Sequence, residues 1–535
     1  MKQALLMLGC WLALWSTQTM AETETTPSYE DLLIELTEAN LNTTQPILEQ
    51  IEATEHPDVL VLFKTLLDGN LNFRKADQAL ISIIDINGTD QYTEFSTGTA
   101  IDPLGRRDVT KIRVNNNLRN YLTSAIGRLQ LTSPNPELRK AAVLSLLDNL
   151  QPSTAAELTR LRTEEDNRSV LASIDLALAM YSAESGDSTA AKITAIDKLS
   201  ESLEPSARNL LFSLERDAED PAVQDAATEA LKKIDGKVTF YGYVDQLFFG
   251  LSLGSVLLLA AIGLAITFGV MGVINMAHGE MLMLGAYTTY VVQLLMPGYI
   301  NYSIWVAIPA AFIVAGLFGI LIERCVIRFL HGRPLETLLA TFGISLILQQ
   351  LVRTVFSPLN RRVAAPDWMS GSLEINPVLS LTYNRLTILI FALIVFVALL
   401  LIMKKTALGL YVRAVSQNRD MAKAMGIKTD RVDALTFGLG SGIAGIGGVA
   451  LSQLTNVGPN LGQAYIIDSF MVVVFGGVGN LLGTLVAAFT LGIANKFLEP
   501  ITGTVLASIL VLVFIILFIQ KRPKGLFPQR GRASE

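Results

Sequence analysis

The chain has 535 residues, of which 51% are hydrophobic and 17% charged, and its formal net charge is −6. Residues before Asp245 carry 22 Lys+Arg and 36 Asp+Glu, whereas residues from Asp245 onward carry 20 and 12. The length allows more than one domain, and the positive mean hydropathy indicates membrane segments. This uneven distribution excludes a uniform array of membrane spans and predicts an acidic soluble domain fused to a basic membrane domain.

The first residues, MKQALLMLGCWLALWSTQTMAETE, have the pattern of a secretory signal peptide. Lys2 supplies the positive start, an apolar core runs from Ala4 to Trp15, and the small residues Thr19 and Ala21 fit a cut after residue 21. The apolar core is too short to span a bilayer, and an uncleaved anchor is the alternative. The pattern predicts that the acidic half is exported.

Residues 22–240 show helical periodicity more than strand alternation. In SPNPELRKAAVLSLLDNL (133–150), a Pro near the start precedes apolar residues at helical spacing, and EDPAVQDAATEALKKIDG (219–236) repeats the scheme. The stripe in the first segment consists of Leu138, Ala141, Ala142 and Leu146. The recurrence resembles HEAT-type helical repeats, with an ordinary helical bundle as the alternative. The polar, Gly-rich segment 88–120 is expected to form a long surface loop.

Apolar runs long enough to span a bilayer occur at about 245–271, 279–297, 303–323, 335–356, 386–403, 432–454 and 504–520. A longer run, 466–497, is interrupted by GGVGN at 476–480. We expect this run to enter the membrane, turn at the glycines and return, because non-helical backbone at membrane depth must be buried in protein. The sequence therefore predicts an all-α fold with 8–9 membrane segments.

The basic residues predict the orientation of these spans. If the first half is exported, the loops that contain residues 324–333 and 404–431 lie inside the cell, and together they hold ten basic residues. This agrees with the positive-inside rule. The basic tail KRPKGLFPQRGR (521–532) then lies inside as well, which requires an even number of crossings by 466–497.

Polar residues interrupt the region between the first two apolar runs, at Asn275, His278 and Glu280. Ionisable groups within a membrane usually face the bundle interior or a pathway. The alternative is an inner-face loop whose polar groups bind backbone ends. Farther along the chain, six glycines between residues 438 and 448 predict close packing of helix backbones and no chemistry.

The sequence contains no ATP-binding loop of the G-x-x-x-x-G-K-[ST] type, no zinc motif and no catalytic triad. We therefore expect neither an enzyme active site nor a bound cofactor or metal in this chain. Basic residues cluster on the predicted inner loops, as topology alone requires, so nucleic-acid binding is not expected.

One polar stretch between two apolar runs, GLYVRAVSQNRDMAKAMGIKTDRV (409–432), is too long and too patterned for a turn. A helix over 413–428 would place Ala414, Asn418, Met421, Ala422 and Met425 on one small or apolar face. Gly426 would then allow a sharp exit. A surface helix that lies on lipid headgroups is the alternative.

Three ordered motifs resemble those of ABC-importer permeases of the branched-chain amino acid type, and they cover essentially all of 245–530. They are LSLGSVLLLAAIGLAITFGVMGVINMAHGEMLMLGAY (251–287), GLYVRAVSQNRDMAKAMGIKTDRVDALTFGLGSGIAGIGG (409–448), and DSFMVVVFGGVGNLLGTLVAAFTLGIANKF (468–497) followed by RPKGLFP (522–528). Ordinary members lack an exported domain. The helical extension with FKTLLDGNLNFRKAD (63–77) resembles the urea-importer branch.

The resemblance implies a signal peptide at 1–21, an exported helical, HEAT-like domain at 22–240, and an α-helical permease domain at 241–530 with a cytoplasmic coupling loop at 404–431. It implies a permease subunit of an ATP-driven importer of a small polar solute, urea in the first place. The alternatives are a branched-chain amino acid or short amide importer permease, then a secondary transporter or passive channel. A membrane-anchored binding protein or sensor is a third class.

The implied partners are cytoplasmic ATP-binding subunits, a second homologous permease subunit, a periplasmic solute-binding protein and the lipid bilayer. The implied location is the bacterial inner membrane, with a periplasmic N-terminal domain and a cytoplasmic C-terminus. The residues expected to couple to the ATPase are Arg413, Ala414, Asn418, Met421, Ala422, Met425 and Gly426. Those expected to line the substrate path are Asn275, His278, Glu280, Thr341, Asn456, Gln463 and Asn480.

Overall fold

The chain divides into two units, Met1–Ile234 and Asp235–Glu535. The structure, a computed structural model, describes residues 27–41, 43–86, 89–105, 107–330 and 332–527. The predicted signal peptide and the end of the basic tail lie outside the described residues. The domain limits drawn from the sequence stay predictions.

The first unit begins with three short helices, α1 (Tyr29–Glu38), α2 (Thr44–Ala53) and α3 (Val59–Leu67). Ser28 starts α1 with a capping box, because its side chain accepts from Asp31 N while the Asp31 carboxylate accepts from Ser28 N. The apolar faces of these helices meet in one core, whose members include Leu36, Leu48, Ile51, Leu62 and Phe63.

A five-stranded antiparallel sheet follows, with strands β1 (Leu71–Arg74), β2 (Leu80–Ile86), β3 (Thr89–Glu94), β4 (Ala100–Ile101) and β5 (Val109–Lys111) in the order β4-β3-β2-β1-β5. The expectations of an all-α fold and of a long loop over 88–120 are therefore wrong in this region. The central strand LISIIDI is rich in β-branched residues, but its neighbours are polar. Pairing such as Asn72 with Lys111 joins distant parts of the chain, so no local pattern predicts it.

Helices fill the rest of the first unit: α4 (Asn116–Gln130), α5 (Pro136–Leu146), α6 (Pro152–Glu164), α7 (Arg168–Ser185), α8 (Thr189–Leu199), α9 (Pro205–Asp217) and the start of α10 (Pro221–Met271). Four of them begin with Pro, whose missing N–H costs nothing in the first turn. The predicted stripe of α5 is partly wrong, because Leu138 and Ala141 are exposed and Ala142, Val143 and Leu146 are buried. The HEAT-type character stays a prediction.

The second unit continues with α11 (His278–Leu295), α12 (Ile300–Cys325), α13 (Pro334–Phe356), α14 (Tyr383–Lys405), α15 (Ala407–Gln417), α16 (Arg419–Ala424), α17 (Thr429–Ser452), α18 (Leu461–Gly476), α19 (Leu481–Thr502) and α20 (Thr504–Lys521). A hairpin of β6 (Ser372–Asn376) and β7 (Leu379–Thr382) precedes α14, and three 3-10 turns lie at Pro297–Tyr299, Ile327–Leu330 and Asp367–Met369. This unit is therefore almost wholly helical.

Seven helices in the described part of the chain are long and apolar enough to cross a membrane: α10, α12, α13, α14, α17, α19 and α20. The expected number, 8–9, is higher because it included the runs that form α11 and α18. The 16 residues of α18 are fewer than a crossing needs, and α11 begins with the polar residues His278 and Glu280. The turn between α18 and α19 lies at the predicted glycines, with φ of +103° at Gly477 and +79° at Gly479.

Helix α17 is the central buried helix of this unit and packs along α11 and α12. A Cβ on Gly440 would lie 2.7 Å from the backbone oxygen of Gly263, and one on Gly445 would lie 2.6 Å from that of Ala311. The predicted role of these glycines in close helix packing is confirmed. Motion of α17 must therefore be shared with its neighbours, because side chains do not cushion these contacts.

Candidate functional site

The predicted coupling residues lie on two helices rather than one. Helix α15 ends at Gln417 and α16 begins at Arg419, and Asn418 between them is extended, with φ −153° and ψ 103°. The Asn418 side chain accepts a hydrogen bond from Met421 N at 2.9 Å and so caps α16. A continuous helix over 413–428 is therefore wrong, because Asn stabilises a helix start better than a helix interior.

This break separates the residues that were expected to share one face. Ala422 is 5% exposed, whereas Met421 and Met425 are 60% and 77% exposed. Ala414 is half-buried and Asn418 is exposed. The surface that this loop offers to a partner is thus formed by the two methionines, while Ala422 packs into the unit.

Gly426 ends α16 as the sequence predicts, with φ +86°. Its N–H donates to Lys423 O at 3.0 Å, and Ile427 N donates to Ala422 O at 3.1 Å. These two bonds form a Schellman motif, which satisfies the last carbonyls of the helix. Arg413 is exposed, and its guanidinium donates to Met403 O, which fixes α15 to the end of α14.

Two ion pairs tie this region to α17. Arg419 donates from both terminal guanidinium nitrogens to Asp433, whose side chain is buried, and Arg328 donates to Asp430 at 2.6 Å. A bidentate Arg–carboxylate pair fixes orientation as well as distance. Sequence reasoning missed both pairs because the partners are separated by 14 and 102 residues.

A buried polar cluster lies where α10 ends and α11 begins. Asn275 Oδ1 accepts from Ala277 N at 3.0 Å, and Met276 N donates to Thr341 Oγ1 on α13 at 3.1 Å. His278 Nε2 lies 3.0 Å from Ala260 O, a contact that requires the tautomer protonated at Nε2. The structure thus brings four predicted path residues together: Asn275, His278, Thr341 and Glu280.

Glu280 connects this cluster to further residues of α13. Its Oε1 accepts from Ser345 Oγ and from Gln349 Nε2, each at 2.8 Å, and its side chain is almost fully buried. Its Oε2 and the Asn275 amide nitrogen have no hydrogen-bond partner among the described residues. Ser345 and Gln349 were missed, although Thr341, Ser345 and Gln349 recur every fourth residue, a polar stripe that the sequence displays.

The other predicted path residues do not join this cluster. Asn480 caps α19 by accepting from Gly483 N at 3.1 Å and donates to Phe527 O at 3.2 Å. Asn456 and Gln463 are exposed. Among the residues that the structure places, no hydrogen bond connects these three to Glu280, so their convergence with it is not supported.

Residues 246–519 match the family described as the branched-chain amino acid transport system permease component. The chain belongs to this family. It is 32% identical over 300 residues to the high-affinity branched-chain amino acid transport system permease protein LivH of Salmonella typhimurium, a match that covers 54% of this chain and 96% of that protein. It is 31% identical over 297 residues to BraD of Pseudomonas aeruginosa, a protein of the same description, with 54% and 96% covered.

A more distant relative is the ribose import permease protein RbsC of Escherichia coli, 25% identical over 284 residues, with 51% of this chain and 84% of that protein covered. No solved structure matches the chain significantly. As a member of the permease family, the chain is a multi-pass transport subunit and not an enzyme, and ATP hydrolysis occurs on separate subunits. The relatives named here carry branched-chain amino acid or ribose names, so the urea assignment stays a prediction.

Proposed function

We propose that this chain is a permease subunit of an ATP-driven importer whose solute is a branched-chain amino acid. The observation that carries the proposal is the similarity to LivH and BraD, which extends over nearly the whole length of both relatives. It also includes the loop at 404–431, the buried polar cluster and the glycine contacts of α17, because all of these lie within 246–519.

We place the contact with the ATP-binding subunit at α16. Two features make this short helix a stiff handle: Asn418 caps its start, and the Schellman motif at Gly426 closes its end. The exposed side chains of Met421 and Met425 give a partner an apolar surface, and methionine adapts its shape to such surfaces. The pair between Arg419 and Asp433 passes movement of α16 to α17.

We place part of the solute path at the cluster around Glu280. Burial of a carboxylate oxygen and an amide nitrogen without partners costs free energy, so such groups call for a ligand, water or a function. The unpaired Glu280 Oε2 and Asn275 Nδ2 meet this description. They would supply an acceptor and a donor to a polar solute or to the water that accompanies it.

The charge distribution supports the location and partners of the importer. The ten basic residues in the loops at 324–333 and 404–431 fit the cytoplasmic side of a bacterial inner membrane. The C-terminus would then be cytoplasmic and the first unit periplasmic, where its acidic surface suits a basic partner such as a solute-binding protein. A second permease subunit would complete the membrane part.

Urea is the second candidate solute, and the first unit is the observation that favours it. The family match begins only at residue 246, so the preceding residues lie outside it. Their resemblance to the extension of urea-importer permeases links the chain to a small, neutral solute. A path for urea would need hydrogen-bonding groups without a requirement for charge.

Competition uptake separates these two solutes. Cells that express the complete importer are given labelled leucine or labelled urea, with an excess of the other compound as competitor. We expect leucine uptake that excess isoleucine abolishes, that excess urea leaves unchanged, and that disappears when the ATP-binding subunits are deleted. Uptake of urea that leucine does not inhibit would replace the main proposal by the second candidate.

A further inference from the structure

A second group of charged side chains lies on α10, α14 and α18, away from the residues considered so far. Arg385, in the first turn of α14, stacks its guanidinium 4.7 Å from the ring centroid of Phe249. Its Nη1 also donates to Ser252 Oγ at 3.5 Å, a long hydrogen bond. Asp245 interacts with Arg385 electrostatically, but no described carboxylate lies close enough to form a salt bridge with it. The cation is therefore held in place without a neutralising partner in contact.

Asp468 on α18 supplies an opposite charge that is also unpaired. Its side chain is half-buried, and its carboxylate has no hydrogen-bond partner among the described residues. It lines a cavity of about 40 Å³ together with two polar side chains, Asn495 and Ser508. The apolar part of the lining consists of Leu253, Leu257, Met471, Leu491 and Val511. A cavity of this size holds very few water molecules, so a larger solute enters only when these helices separate.

Tyr465 links the two charges. It lies one turn before Asp468 on α18 and interacts electrostatically with both Asp468 and Arg385. On α10, Ser252 contacts Arg385 and the adjacent Leu253 lines the Asp468 cavity. A helical turn rises about 5.4 Å, so the cation and the anion face one region at a spacing of roughly one turn.

An unpaired charge at such a position costs free energy that a structural salt bridge would offset. Ionisable residues inside membrane proteins therefore usually serve a pathway. A solute that carries both charges on neighbouring atoms would satisfy Arg385 and Asp468 at once. An α-amino acid is such a solute, because its carboxylate and its ammonium share one carbon, whereas urea carries neither charge.

We propose that Arg385 and Asp468 form a recognition site for the α-carboxylate and the α-ammonium of the solute, with Leu253, Leu257 and Met471 against its branched side chain. The inference rests on the proposed function and names the groups that would make the permease selective for amino acids. With the orientation given by the basic loops, Arg385 lies at the outer end of α14, where a periplasmic protein would deliver the solute.

The test uses the complete importer in proteoliposomes, with saturating leucine-loaded binding protein, and measures leucine transport and ATP hydrolysis together. Arg385→Gln and Asp468→Asn each remove one charge with little change in volume. A hydrogen bond to a charged group, once lost, lowers the rate about 10- to 100-fold. We expect a loss of this size in transport for both variants, while the stimulation of ATP hydrolysis by loaded binding protein persists.

Two further sets of variants guard against a purely structural effect. Lys496→Gln removes a charge from α19 that is paired with Glu499, and it should leave leucine transport within about twofold of the unmodified rate. Arg385→Lys and Asp468→Glu keep the charges and should recover most of the activity. Recovery would not occur if packing alone were at stake.

The outcomes separate the two proposals. If the unmodified importer transports leucine and the two neutral variants do so at a similar rate, the recognition site is wrong and the proposed function stands. If the charge-conserving variants assemble but are as inactive as the neutral ones, the recognition site is also wrong. If the unmodified importer transports urea and not leucine, the proposed function fails, and the recognition site fails with it.

Discussion

Glu280 is buried among apolar helices with one carboxylate oxygen bonded twice and the other without a partner among the described residues. A carboxylate placed only for stability would have both oxygens satisfied, because a buried polar atom without a partner costs about 1–3 kcal/mol. The second oxygen is therefore the part of this residue that a transport function explains.

Glu280→Gln tests this explanation, since the Gln carbonyl can still accept from Ser345 and Gln349. We expect the variant to assemble normally and to transport at about one tenth of the unmodified rate or less, because an amide replaces the free oxygen. The measurement is uptake per assembled complex. Ser345→Ala, which removes one donor to the bonded oxygen, is the control and should have the smaller effect. The reverse order would show that the cluster serves packing.

Glu165 shows how a single residue makes the first unit sensitive to acid. Arg139 donates to both of its carboxylate oxygens, at 2.7 and 2.8 Å, and its side chain is 8% exposed. Hydrogen bonds from the Arg139 guanidinium hold the pKa of Glu165 below its ordinary range. The stabilisation is therefore complete above the unfolded pKa of about 4.3 and is lost as the pH falls through the lower, folded pKa.

We expect hydrogen-exchange protection of 136–165, corrected for the intrinsic exchange rate, to weaken below about pH 4 in the full-length protein. Glu165→Gln should reduce the protection at neutral pH and remove that part of its pH dependence. Glu164→Gln is the matched control, because Glu164 is exposed and forms no ion pair among the described residues. Identical pH profiles for the two variants would contradict the assignment.

At the scale of elements, the break between α15 and α16 defines the shape of the coupling loop. Sequence periodicity predicted a helix there, and both segments are helical. The break itself depends on one local competition, in which the Asn418 side chain bonds Met421 N and ends the preceding helix. A periodicity argument does not register such a competition, because Asn is tolerated at many helical positions.

Asn418→Ala removes the cap and should cost about 0.5–2 kcal/mol of local stability, which favours a straighter helix over 407–424. Since a straighter helix would misplace Met421 and Met425, we expect transport to fall while the ATP-binding subunits keep a basal ATPase activity. The measurement is the number of leucine molecules transported per ATP hydrolysed. Asn418→Asp keeps the acceptor and should retain coupling; equal ratios for both variants would mean that the break is irrelevant.

The glycine contacts between helices allow a sharper test of packing. A Cβ at Gly285 of α11 would overlap the backbone of Gly445 on α17, whereas a Cβ at Gly343 of α13 would meet nothing within 4 Å. Overpacking of this kind costs about 1–3 kcal/mol. We therefore expect Gly285→Ala to lower the thermal midpoint of the detergent-solubilised protein by several degrees, and Gly343→Ala to leave it unchanged or raised.

At the scale of the whole molecule, the sequence predicted the membrane helices better than the first unit. Apolar runs define α12, α13, α14 and α20 because lipid imposes a length on them. The sheet over 71–111 escaped prediction because Asn72 pairs with Lys111 across 39 residues, and β-pairing depends on such distant partners.

The candidate site divides in the same way. The polar stripe of Thr341, Ser345 and Gln349 has a helical period and could be read from the sequence. The pair of Arg419 and Asp433 could not, because it depends on the turn at Gly426 that brings α16 back to α17. Local chemistry was thus predictable, whereas contacts that depend on tertiary folding were not.

The central claim is that this chain moves a branched-chain amino acid with energy from ATP hydrolysed on separate subunits. The most direct measurement is accumulation of labelled leucine in proteoliposomes that hold this chain, its partner permease and the ATP-binding subunits. The account predicts accumulation above the outside concentration only when ATP and binding protein are both present. Leucine that merely equilibrates without ATP, or urea that accumulates where leucine does not, would contradict it.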